Sequence, residues 1–117
     1  MRATAALLAG LALALGAAAC GDESGVETSA GGEVEGTRVG MRNLRFVPDR
    51  VRVAEDATVT FVNDESIQHT VVARSGADFE SKLLSQGDTY KVTPHESGTI
   101  AYLCTLHPGM RGRIVVR

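Results

Sequence analysis

Three side chains able to bind a soft metal ion lie within seven residues, in the run Cys104-Thr105-Leu106-His107-Pro108-Gly109-Met110, and a further histidine, His69, stands well upstream. A thiolate, two imidazoles and a thioether form a donor set suited to one copper ion in a trigonal His-His-Cys site with a long axial bond to Met. Pro108-Gly109 is a turn signal, and a turn there brings His107 and Met110 back toward the ion that Cys104 meets. Zinc is the chemical alternative, but Met serves it poorly, and structural zinc sites use four Cys or His donors where this set has three. Taken singly, His69 reads as a strand histidine, Cys104 as a small buried hydrophobe and Met110 as core filler. Their concentration around one loop is what argues for joint use. His95, in Pro94-His95-Glu96, lies outside the motif and reads as a solvated turn residue. With Met110 counted no coordination position stays open, and no acid–base pair or nucleophile accompanies the loop, so the chemistry implied is electron transfer, not catalysis.

Such a site needs a rigid frame. From Arg38 onward the pattern is short apolar alternation broken by turn residues, with no sustained helical period, which predicts an all-β domain. Strands are expected over Val39 to Val47, Val51 to Val53, Thr58 to Asn63, His69 to Ala73, Thr89 to Thr93, Thr99 to Cys104 and Arg111 to Val116. Seven to eight short strands at this spacing imply two packed sheets. Period-two alternation puts Val59 with Phe61, Ile100 with Tyr102 and Cys104, and Ile114 with Val116 on inward faces. Cys104 then ends an inward-facing row, and His69 opens a neighbouring strand. The stretch Ala77 to Leu84 is left open between a short helical turn and a loop.

The chain before Arg38 has a different character. Arg2 followed by an uncharged Ala/Leu-rich run to Ala17-Ala18-Ala19 has the layout of an export signal over residues 1–19, too short and too diluted by Ala and Gly for a membrane span. Cys20 directly after the small residues resembles a bacterial lipobox, which implies lipidation of Cys20; cleavage after Ala19 without lipid is the alternative, because Ala17 stands where a lipobox usually has Leu. Residues 20–37 then read as a Gly/Ser/Glu-rich tether, holding the domain on average about 20–25 Å from its anchor. A Cys20–Cys104 disulfide is disfavoured, since each cysteine has its own use. Residues 38–117 carry nine acids and eleven bases, a net charge of 11 − 9 = +2, too weak a field for nucleic acid. The expectation is a monomer on the periplasmic or extracytoplasmic side of a membrane.

The segments Phe46-Val47-Pro48, Val51-Arg52-Val53, Thr58 to Asn63, His69-Thr70-Val71, Gly87-Asp88-Thr89-Tyr90, Gly98-Thr99 with Tyr102 and Cys104, and Met110 to Val116 together resemble the cupredoxins, most closely the amicyanin and plastocyanin branch. The resemblance implies a Greek-key β-sandwich and a type 1 (blue) copper site formed by His69, Cys104, His107 and Met110. It also implies an electron port at His107, ringed by Leu106, Pro108 and Gly109, where redox partner proteins dock. Two departures stand out. Leu106 replaces the family's Pro between Cys and His and so keeps an N–H able to donate to the sulfur. Thr70 replaces the family's frequent Asn, so the usual cross-link to the residue after Cys runs to Thr105 through shorter side chains or is absent. Copper handling, meaning delivery or scavenging without electron transfer, is the competing function.

Overall fold

The computed structural model describes residues 32–117. The expected signal, Cys20 and most of the expected tether therefore lie outside the described residues.

Among these residues there are nine strands and no helix: β1 (Val34–Glu35), β2 (Arg38–Arg42), β3 (Arg45–Val47), β4 (Arg50–Val53), β5 (Val59–Asn63), β6 (Val72–Ser75), β7 (Thr89–Val92), β8 (Gly98–Leu103) and β9 (Arg111–Val116). They form a five-stranded sheet in the order β1-β4-β9-β8-β6 and a four-stranded sheet in the order β3-β2-β5-β7. Both sheets are mixed, with β2 parallel to β5 and β4 parallel to β9.

The inward faces are those the alternation predicts. Val59, Phe61, Ile100, Tyr102, Cys104, Ile114 and Val116 are all buried and belong to one core with Val39, Met41 and Phe46. At its centre Tyr102 stands edge-to-face against Phe46 (4.8 Å) and Phe61 (5.1 Å), an arrangement the ring quadrupoles favour. Tyr102 pairs with Gly112 on β9, and a Cβ at Gly112 would strike the Tyr102 ring, so the aromatic cluster requires glycine there.

Three local features differ from expectation. The stretch Val39 to Val47 is not one strand but the hairpin β2–β3, reversed at Asn43 (φ 55°) and Leu44 (φ 58°). A two-residue hairpin loop with both central residues at positive φ usually shows itself as Asn-Gly; leucine in that conformation hides the turn. His69 does not open a strand, because β6 starts only at Val72. It sits instead in an isolated bridge to Leu84, with reciprocal bonds His69 N–H to Leu84 O (3.1 Å) and Leu84 N–H to His69 O (2.8 Å). The segment Ala77 to Leu84 is accordingly a loop that returns alongside residues 69–72, with no helical turn. Finally β1 adds to the edge of the five-stranded sheet, and Glu33 and Glu35 pair with Arg52 at 3.4 and 3.3 Å, so residues 33–35 of the stretch expected to be tether lie against the sandwich.

Candidate metal centre

The centre forms where the end of β8 meets the loops at one end of the sandwich. Cys104 follows the last residue of β8, and two backbone bonds close its loop: Cys104 N–H to Met110 O (3.0 Å) and Met110 N–H to His107 O (3.1 Å). The turn at Pro108-Gly109, with Gly109 at φ 88°, makes this closure. His69 is brought in by its bridge to Leu84.

The outcome is a compact donor triangle. One ligand atom each from His69, Cys104 and His107 all lie within 4.8 Å of one another. Cys104 Sγ is 3.8 Å from His69 Nδ1 and 3.5 Å from His107 Nδ1, and the two imidazole rings are 4.9 Å apart. A soft thiol with two imidazole nitrogens converging on one point is a donor chemistry that fits copper. His69 is fully buried and Cys104 nearly so, whereas His107 is half-buried, with Leu106, Pro108 and Gly109 exposed beside it. Met110 is buried at the foot of the loop. His95 lies elsewhere, exposed and paired with Asp56 at 2.7 Å.

The sulfur is held by donors from two directions. Thr70 N–H and Leu106 N–H reach Cys104 Sγ at 3.5 and 3.4 Å, and the Thr70 hydroxyl at 3.9 Å. The Thr70–Thr105 cross-link is present: the two hydroxyl oxygens are 2.8 Å apart, and Thr105 N–H donates to Thr70 Oγ1 at 2.9 Å. Two threonines thus tie the His69 segment to the Cys104 loop although both side chains are short.

Sequence reasoning missed Glu65. Its carboxylate lies 2.6 Å from His69 Nε2 and also accepts the N–H groups of Asn43 (2.9 Å) and Leu44 (3.1 Å). Burial raises the Glu65 pKa, but the bonds from His69, Leu44 and Asn43 outweigh it and hold the carboxyl below its ordinary range. A carboxylate on Nε2 fixes the proton there and leaves Nδ1, the nitrogen nearer the sulfur, as a lone-pair donor. The positive-φ hairpin is part of this support, because it aims two successive N–H groups at one carboxylate. Asn63, fully buried, holds the segment in place: its side chain donates to Ile67 O (2.8 Å) and Leu84 O (2.9 Å) and accepts Glu65 N–H (2.9 Å). The i,i+4 spacing of Glu65 and His69 was visible in the sequence, but nothing there ruled out an exposed loop acid.

A two-sheet sandwich with a buried thiol and two imidazoles clustered at one end defines a copper-binding β protein. The family described as copper binding proteins, plastocyanin/azurin family, matches residues 34–117, and the chain belongs to it. It is 36% identical over 84 residues to amicyanin-alpha of Methylorubrum extorquens, an alignment covering 68% of this chain and 71% of that protein. It is 30% identical over 82 residues to the amicyanin of Paracoccus versutus, covering 67% of this chain and 62% of that protein, so just under two thirds of this relative is spanned. Among solved structures, an oxidized amicyanin variant superposes with a TM-score of 0.64 at 31% identity, over 68% of this chain and 80% of that one.

Proposed function

We propose that this protein is a type 1 (blue) copper electron-transfer protein of the cell envelope, holding one copper ion through His69, Cys104, His107 and, more weakly, Met110. The observation that carries the reading is the preformed triangle of one thiol and two imidazole nitrogens within 4.8 Å, with His69 and Cys104 held in place by hydrogen bonds. Copper bound there supplies a one-electron Cu(II)/Cu(I) couple.

The chain's own residues suit that couple by resisting rearrangement. Glu65 orients His69, Thr70 and Thr105 join the two ligand-bearing segments, and backbone bonds close the loop from Cys104 to Met110. The donors therefore keep one geometry whichever charge they surround. N–H groups of Thr70 and Leu106 stabilise charge on the sulfur and favour the reduced, electron-rich state. His107, half-buried and bordered by exposed Leu106, Pro108 and Gly109, is the group through which electrons pass to a docked partner. Glu65, the carboxylate bonded to the centre, is engaged by His69 and two backbone amides, which leaves it unable to serve a substrate. This favours a carrier over an enzyme.

The envelope placement rests on the leader. Residues 1–19 direct export, Cys20 carries lipid, and residues from Cys20 onward tether the domain. Among the described residues no helix is long and apolar enough to cross a membrane.

Titrating the purified protein with copper(II) and then cycling it electrochemically tests the function. An intense blue colour at one equivalent, with reversible one-electron cycling, is expected for the native chain and lost in Cys104→Ser. Tight colourless copper(I) binding without cycling would point to copper handling.

A further inference from the structure

Two adjoining depressions lead away from the copper loop onto the outer face of the five-stranded sheet. The first is lined by Arg45, Asp49, Gly109, Met110 and Arg111; the second, about 520 Å³, shares Asp49 and Arg111 and adds Arg50, Arg74 and Arg113. Strand register explains the clustering: Arg50 on β4 stands opposite Arg113 on β9, and Arg111 lies two residues before it, at the start of β9 next to Met110. Five arginines and one acid line the run.

The remaining arginines are used differently. Arg38 and Arg42 pair with Asp64, Arg52 with Glu33 and Glu35, and Arg117 with Glu33. By contrast, Arg45, Arg74, Arg111 and Arg113 have no ion-pair partner among the described residues. Several exposed acids lie well away from this groove. Glu55, Asp56 and Glu96 are exposed near the far ends of β4 and β9, where Glu55 N–H bonds Arg117 O and Asp56 N–H bonds Pro94 O. A net charge of only +2 therefore conceals a local concentration of arginine beside the copper loop.

We propose that this arginine-lined groove is the docking surface for an acidic face of the protein redox partner. The proposal rests on the electron-carrier reading. Guanidinium groups in a shallow groove suit bidentate capture of carboxylates, and their summed positive charge steers an acidic partner toward the groove before contact. The groove starts at Gly109 and Met110, so whatever fills it lies directly beside the loop. That position serves a protein carrying its own redox centre. A lipid surface there would place beside the loop headgroups that accept no electron.

The test oxidises the reduced copper protein with anionic hexacyanoferrate(III) and with cationic tris(phenanthroline)cobalt(III) across ionic strengths from about 0.01 to about 0.2 M. Relative to the cobalt reagent, the anionic oxidant is expected to gain about tenfold at low salt. The triple variant Arg50→Glu/Arg74→Glu/Arg113→Glu should abolish or invert that preference, and the milder Arg113→Gln should reduce it. In amide NMR spectra of the full chain, with or without copper, a deca-glutamate peptide should shift β4 and β9 resonances, and vesicles of phosphatidylglycerol should not. Indifference of both oxidants to salt and to the substitutions would overturn the proposal, as would vesicle binding without peptide binding. A protein that takes up no copper, or reacts with neither oxidant, would instead refute the electron-carrier reading, and the peptide titration would still report on the groove.

Discussion

Leu106 is the residue at which this chain's site departs most informatively from the family pattern. Its N–H lies 3.4 Å from Cys104 Sγ, a bond that proline cannot make. A donor to sulfur gains most when the sulfur is most electron-rich, so it favours the reduced state. Leu106→Pro should lower the reduction potential; a differential of about 1.4 kcal/mol corresponds to about 59 mV for one electron, and voltammetry reads the sign directly. An unchanged or higher potential would count against this account. Glu65 acts on the other side of the centre by fixing the His69 tautomer. Glu65→Gln keeps the size but loses the charge and is expected to weaken copper(II) binding about 10–100-fold in a competition titration with a chelator. Binding as tight as in the native chain would show the carboxylate to be dispensable.

The element scale is governed by how β8 and β9 meet. Gly112 leaves room for the Tyr102 ring, which in turn joins Phe46 and Phe61 across the sandwich. Gly112→Ala should displace the ring and cost about 1–3 kcal/mol, seen as a lower melting temperature. The Tyr102 hydroxyl is buried without a hydrogen-bond partner among the described residues, and burial, with the Asp49 charge in addition, pushes its pKa well above the ordinary phenol range. A raised phenol pKa contributes stability that is fully present below the unfolded value, about 10, and is lost as pH rises from there toward the folded value. Tyr102→Phe removes an unsatisfied group and this alkaline loss together. Its melting temperature should match or exceed the native one at neutral pH and fall less steeply above pH about 10. A marked drop at neutral pH would mean that the hydroxyl has a partner.

For the whole molecule, copper and folding are linked. The donor triangle exists only when the β8 end, the His69 bridge and the 104–110 loop are assembled, so metal bound to it stabilises the native state. At a free copper concentration about 100 times Kd the gain is about 2.7 kcal/mol, which for a domain of this size raises the melting temperature by roughly 4–8 °C per kcal/mol. Calorimetry before and after removing copper checks this, and equal melting temperatures would mean that metal and fold are uncoupled. The same assembled end carries the arginine groove, so the metal centre and the charges proposed to guide a partner sit together on one rigid unit.

The sequence by itself determined the residue types, their order and the inward rows. Cys104, His107 and Met110 share one loop because they are close in the chain, and Ile100, Tyr102 and Cys104 face the core because strand periodicity is two. Tertiary structure decided what depends on segments far apart in the chain. The hairpin at Asn43-Leu44 carries no glycine to mark it, and the Leu84 bridge that places His69 joins two irregular segments with no pattern of their own. Glu65 became part of the site only when that hairpin turned two amides toward it. Likewise the arginines are scattered in sequence, and strand register gathers them into one groove. Local pattern fixes which face a side chain takes, but long-range pairing fixes which neighbours share it, and a metal centre is made of such neighbours.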